Sequence, residues 1–178
     1  MVAPSEDYLV IRRRYAASPE AVFSMWTRAE LLSRWLRPSP EYTHLFVEVD
    51  ATVGGRYRIA FKSPEGKVDV VGGEFLDVSS PSRLVFTWKW EPPNEHSEID
   101  TQVTVDLKEV HGETELVLTH RISDRSMKEE HCVGWSGALD QIPALIPTGG
   151  GAEEAIPANE GNAEPEGATA SNPHNRLA

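Results

Sequence analysis

ETELVLTHRISDRSMKEEHCVGWSGALDQIPALI, residues 113–146, changes its period halfway along. From Glu113 to Ile122 apolar residues alternate with polar ones, and Leu116, Leu118 and His120 share a face. A period of two marks a half-buried strand. Beyond Ser126 the spacing becomes 3, 4, 3 and 4 through Cys132, Trp135, Leu139, Ile142 and Ile146, one apolar stripe along a helix. Ser126 and Glu129 stand at the spacing of a capping box that would start it. Gly134 and Gly137 each cost a helix about 1 kcal/mol against Ala, which predicts close approach of another element there. Pro143 removes the bond to the Leu139 carbonyl and should bend the last turn. Cys132, beside the stripe, reads as a small core residue.

Upstream, Tyr8 to Tyr15 reads as a strand with Leu9, Ile11, Arg13 and Tyr15 on one face. Ser18 can cap a helix that Pro19 and Glu20 begin, with Val22, Phe23 and Trp26 as its stripe. Thr27 and Glu30 form a second capping box, restarting a short helix with Leu31, Leu32, Trp35 and Leu36, stopped by Pro38 and Pro40. From Leu45 the period is two again. Phe46 to Val49 is a short strand, and Tyr57, Ile59 and Phe61 share a face of the next. Val68 to Val78 is a long strand, bent or bulged at Gly72-Gly73. Leu84, Phe86, Trp88 and Trp90 lie on one face of another, and Ile99 to Leu107 follows. Turns are expected at Gly54-Gly55, Ser63–Gly66, Pro81-Ser82 and His111-Gly112. The order is strand, two helices, six strands, helix. Short turns between consecutive strands mean an antiparallel sheet, and the terminal helix needs a sheet face to cover. The fold class is α+β, a curved antiparallel sheet of about seven strands wrapped around a long C-terminal helix.

The chain has 178 residues and one cysteine, so no internal disulfide and no cysteine-based metal site is expected. The N-terminus is acidic and lacks an apolar run of signal-peptide length, and no stretch reaches the roughly 18 apolar residues of a membrane span. These readings predict a cytoplasmic protein without membrane insertion. The net charge of −11 disfavours nucleic acid as a partner. Arg12-Arg13-Arg14 alternates between strand faces and makes no basic patch. Residues 147–178 are rich in Pro, Gly, Ala and Glu, with Ile156 and Leu177 as their larger apolar residues. That segment cannot bury enough surface to offset chain ordering, which predicts a domain over residues 1–146 and a disordered acidic tail after it. The alternative for the tail is a short segment that orders on a partner.

A second line of reading comes from motif likeness. Pro19-Glu20-Ala21-Val22-Phe23-x-x-Trp26-Thr27-x-x-Glu30-Leu31-x-x-x-Trp35 resembles the opening motif of proteins related to the C-terminal domain of the Hsp90 ATPase activator. Gly54-Gly55-x-Tyr57, Gly73-Glu74-Phe75, Pro81 through Trp88, Thr119-His120 and Gly134-Trp135 with Leu139 resemble it too, in the family's order and spacing. The likeness spans about residues 8–146 and implies the helix-grip fold of START and Bet v 1-like proteins. In that superfamily sheet and helix enclose an apolar cavity for lipids, polyketides or other hydrophobic molecules. Trp35-Leu36 departs from the two successive tryptophans frequent in the family. The eukaryotic activator also carries an N-terminal domain that grips the chaperone, which this sequence does not, so an Hsp90 partner is not expected.

The resulting site expectation is a cavity lined by Arg13, Trp35, Tyr57, Phe61, Phe75, Phe86, Trp88, His120, Trp135 and Leu139. A site of this kind would measure at least about 300 Å³. His120 is either a hydrogen-bonded core residue or a group that orients a ligand; Arg13 is either a rim arginine or the partner of a ligand carboxylate. No P-loop, dinucleotide-binding glycine pattern or GxSxG elbow is present, so neither a cofactor nor a catalytic residue is assigned. The six histidines lack HxH or HExxH spacing, and His96, near Glu95, Glu98 and Asp100, reads as part of a solvated loop, so no metal is expected. Three functions compete. The first is binding of a small hydrophobic ligand. The second is a polyketide cyclase or dehydratase-like enzyme using His120, Arg13 and Tyr57. The third is a chaperone-associated or stress-related interaction protein. Homodimerisation through the outer sheet face is left open.

Overall fold

The computed structural model describes residues 7–146; the expected acidic tail lies outside the described residues. In chain order the elements are β1 (Tyr8–Tyr15), α1 (Pro19–Thr27), α2 (Ala29–Trp35), β2 (Thr43–Val49), β3 (Arg56–Lys62), β4 (Val68–Ser79), β5 (Arg83–Trp90), β6 (Thr101–Val110), β7 (Glu113–Arg121) and α3 (Arg125–Leu139), with a 3-10 turn at Ile142–Ala144. All seven strands belong to one antiparallel sheet in the order β1-β7-β6-β5-β4-β3-β2. The expected α+β architecture is the one observed.

Alternation aims one face of every strand at the helices. In β1, Leu9, Ile11 and Tyr15 are buried while Tyr8 and Val10 are exposed, and Ile11 stands opposite Leu118 of β7. The β6–β7 hairpin turns on His111 and Gly112, both at positive φ (53° and 81°). That is the backbone a two-residue hairpin loop requires. Gly73 of β4 sits where an added Cβ would lie 2.0 Å from the Thr87 carbonyl oxygen. The β4–β5 ladder skips Gly73 and Glu74, the Glu74 amide donating to Thr87 Oγ1 instead, and the register shift falls further on, between Phe75 and Asp77.

The helix starts correct part of the sequence reading. Ser18 caps α1 as expected, its hydroxyl accepting from the Ala21 amide. The Thr27–Glu30 box does not form: Thr27 Oγ1 donates back to the Phe23 carbonyl, and Glu30 pairs with Arg28. At α3 the cap is Asp124, whose carboxylate accepts from the Met127 amide, so the helix starts ahead of Ser126, which becomes an interior residue. A carboxylate at a helix N-terminus also meets the positive end of the dipole.

The far end of α3 is shorter than its sequence pattern. The helix stops at Leu139 rather than bending on toward Ile146. Pro143 has no N–H for the Leu139 carbonyl, and the Tyr15 hydroxyl donates to that oxygen at 3.0 Å. Close approach is confirmed at Gly137, where a Cβ would lie 2.1 Å from the Pro38 carbonyl oxygen, but Gly134 has open space around it. Gln141 fastens the same junction, donating to the Arg37 carbonyl and accepting from Arg37 Nε. The buried stripe is Met127, His131, Trp135, Ala138 and Leu139. Cys132, expected in the core, is exposed, because the stripe passes one residue before it.

Among the described residues, no helix is long and apolar enough to cross a membrane.

Candidate functional site

Aromatic rings crowd the helix-facing side of the sheet, and they divide into two regions. In the first, Tyr57, Phe75 and Phe86 meet at ring centroid distances of 5.6–5.8 Å. With Trp26, Leu32, Leu36, Val49, Ile59 and Trp88 they leave a void of only about 20 Å³. Trp35 is fully buried beside it, stacked edge-on against Trp26 at 4.6 Å and donating to the Met25 carbonyl. The large cavity expected between sheet and helix is therefore filled here by its own walls.

In the second region the rings stop short of closing. A pocket of about 200 Å³ opens between β3, β5, α3 and the 91–100 loop. Phe61, Trp88, Trp90, His131 and Trp135 form its apolar depth. Leu36, Pro38 and Tyr42 close one side, and Lys67, Asp69, Glu95, His96 and Glu130 stand around its mouth. Gly134 leaves room on the helix wall. A larger depression of about 620 Å³ lies over Gly72 and Gly73, but its surroundings are charged, with Arg58 paired to Glu91 and Lys89 to Asp100.

The polar groups in and behind the pocket wall form a closed hydrogen-bond arrangement. His131 Nδ1 faces the Met127 carbonyl at 2.7 Å, so that nitrogen carries the proton. Its Nε2 is then an acceptor, and it receives two indole N–H groups, from Trp88 at 3.2 Å and Trp90 at 3.0 Å. One turn deeper, Trp135 Nε1 donates to His120 Nδ1 at 3.1 Å. His120 Nε2 meets Thr101 Oγ1 at 2.8 Å, and that hydroxyl donates onward to the Trp88 carbonyl. Both rings are thereby held neutral. Burial drives the His120 pKa well below the ordinary histidine value, and the neighbouring His131 lowers it further. Burial lowers that of His131 as well, against the pull of the Met127 carbonyl.

Of the residues singled out in sequence, Phe61, Trp88 and Trp135 meet in the pocket. Tyr57, Phe75 and Phe86 line the closed void instead. Trp35 and Leu139 are fully buried. His120 has both ring nitrogens occupied and borders neither space. Arg13 lies elsewhere, its Nε bonded to Asp140 Oδ1 at 2.8 Å. The acid–base set imagined for an enzyme, His120 with Arg13 and Tyr57, is not assembled. The burial of Tyr57 raises its pKa, and its hydroxyl donates to the Thr87 carbonyl. His96 is corrected too: it is buried, and its Nε2 lies 2.9 Å from Glu130 Oε2. The sequence places Trp90 on an aromatic strand face without marking it as a site residue. His131 was missed, although its place one turn after Met127 and one before Trp135 puts it on the helix stripe. Nothing local could reveal the His96–Glu130 contact, which joins a loop to a helix.

Residues 16–146 match the model of the family described as Activator of Hsp90 ATPase homolog 1-like protein. No curated protein matches the chain. Among solved structures, a protein from Chromobacterium violaceum is 25% identical with a TM-score of 0.70, covering 79% of this chain and 96% of its own. The AHSA1 protein of Silicibacter pomeroyi is 26% identical, with a TM-score of 0.69 and coverage of 78% and 96%. CalU16 from Micromonospora echinospora is 27% identical, with a TM-score of 0.60 and coverage of 79% and 76%.

Proposed function

The chain belongs to the Activator of Hsp90 ATPase homolog 1-like family, and on that premise we propose that it is a binding module for a small aromatic ligand. The observation that carries this reading is a pocket walled by three tryptophans, Phe61 and a neutral His131 whose hydrogen bonds are all made within the wall. Such a wall presents ring faces and edges but no unsatisfied buried charge, which favours planar apolar surface over a polar solute. At about 200 Å³ the space is below the roughly 300–1,000 Å³ of drug-sized sites, so one or two fused rings are the scale that fits. The charged mouth leaves a polar substituent in contact with water.

Isothermal titration with 2-naphthol tests this. Saturable one-to-one binding in the micromolar to millimolar range is the expected result. Gly134→Leu places a side chain in the pocket where an added Cβ meets nothing within 4 Å, and should abolish the binding while the protein stays folded. Absence of saturable heat, or equal affinity in the filled variant, would remove the pocket from consideration.

A further inference from the structure

We infer that Glu95, His96 and Glu130 form a site for a divalent cation of the zinc class at the pocket mouth. One ligand atom from each of the three lies within 4.8 Å of the other two. Exposed carboxylates alone would say little. Here the third member is an imidazole only 8% exposed, with its Nε2 2.9 Å from Glu130 Oε2. Both sides of the cluster are also held from behind. Glu130 Oε1 accepts from the Ser126 hydroxyl at 3.2 Å, leaving Oε2 for His96. The His96 amide donates to Asn94 Oδ1 at 2.9 Å, and Asn94 Nδ2 donates to Asp69 Oδ1 at 2.9 Å, which ties the loop to β4. Supporting hydrogen bonds of this kind fix the direction of metal ligands.

The chemistry favours an ion. Glu95 and Glu130 bring two carboxylates together against one imidazole, and a dication would relieve their repulsion. An imidazole with two carboxylates suits zinc and its neighbours better than calcium or magnesium, which prefer oxygen alone. Tetrahedral ligands at ~2.0–2.1 Å from zinc stand ~3.3 Å apart, a contraction that the exposed glutamate side chains permit. Three protein ligands would leave one position open, and all three residues border the aromatic pocket. If the pocket holds an aromatic ligand, as proposed above, a phenol or carboxylate substituent on it would complete the coordination; that part rests on the reading of the pocket, and ion binding does not.

Titration of the full-length, tag-free protein with Co²⁺, read by visible d–d absorption, decides the matter. One Co²⁺ per chain with the intense band of four-coordination, displaced by Zn²⁺, is expected. Glu130→Gln, at an exposed position, should weaken binding by more than tenfold, and Ser126→Ala by about tenfold through loss of orientation. His111→Asn, at the distant hairpin turn, should change nothing. No Co²⁺ band, or a band unaffected by Glu130→Gln, overturns the site. Naphthol titrations with chelator and with Zn²⁺ separate the two claims. Naphthol binding without any metal binding sinks the cation site alone; metal binding without naphthol binding sinks the aromatic-ligand reading alone.

Discussion

The two aromatic regions are made from the same material and end differently. Around Trp26, the rings of Tyr57, Phe75 and Phe86 interlock until about 20 Å³ remains. Next to them, sharing Trp88 and Leu36 with that region, Phe61, Trp90 and Trp135 leave about 200 Å³ open. Composition does not separate the two. What differs is the opposing surface: bulky residues of α1 and α2 press on the closed region, whereas α3 presents Gly134 and a histidine to the open one. Aromatic content on a sheet face thus predicts a core or a pocket equally well, and the covering element decides which.

The largest effect should come from the closed side. Phe86→Ala removes a ring that contacts Trp26, Tyr57 and Phe75, and should lower unfolding stability by about 3–5 kcal/mol. Naphthol affinity, measured below the transition, should be nearly unchanged, because Phe86 does not line the open pocket. A large loss of affinity without loss of stability would erase the distinction between the regions.

A smaller effect concerns His131 in the pocket wall and His120 behind it. Their folded pKa values lie below the unfolded value of about 6.5. Above that pH both states are neutral and the stability is fully present. As pH falls below it, the unfolded chain takes up protons that the folded chain resists, and stability declines toward the lower folded values. Denaturant midpoints should therefore drop between pH 7.5 and pH 5. His131→Gln should flatten that slope by up to about 1.4 kcal/mol per pH unit. An unchanged slope would mean that His131 is not held neutral.

The smallest effects are a pair with opposite signs. Gly134→Ala, in open space, should raise stability by up to about 1 kcal/mol through helix propensity. Gly137→Ala, three residues on, should lower it, since the new Cβ would press on the Pro38 carbonyl. Thermal melts of both variants check this, and equal shifts would contradict the contrast.

What the sequence revealed was what neighbours in sequence determine. Strand faces, the Ser18 cap and the His111-Gly112 turn were legible because each depends on a few adjacent residues. Where two local signals compete, sequence alone does not rank them: Asp124 outranks the Ser126–Glu129 box, and a stripe through His131 displaces one through Cys132. Half of the site was harder still. Trp88 and Trp135 could be picked as inward aromatics, but whether they close on each other depends on how α2 and α3 sit. Glu130 and His96 meet across 34 positions, and no periodicity encodes that.

Indole N–H signals offer the most direct test, because the five tryptophans divide between the regions. In a ¹H–¹⁵N spectrum titrated with 2-naphthol, the Trp90 and Trp88 indole resonances should move, since both donate to His131 in the pocket wall. Those of Trp26 and Trp35, in the closed core, should stay in place. Movement of the Trp26 and Trp35 signals with Trp90 unmoved would put the ligand in the sheet–helix interior and contradict the account.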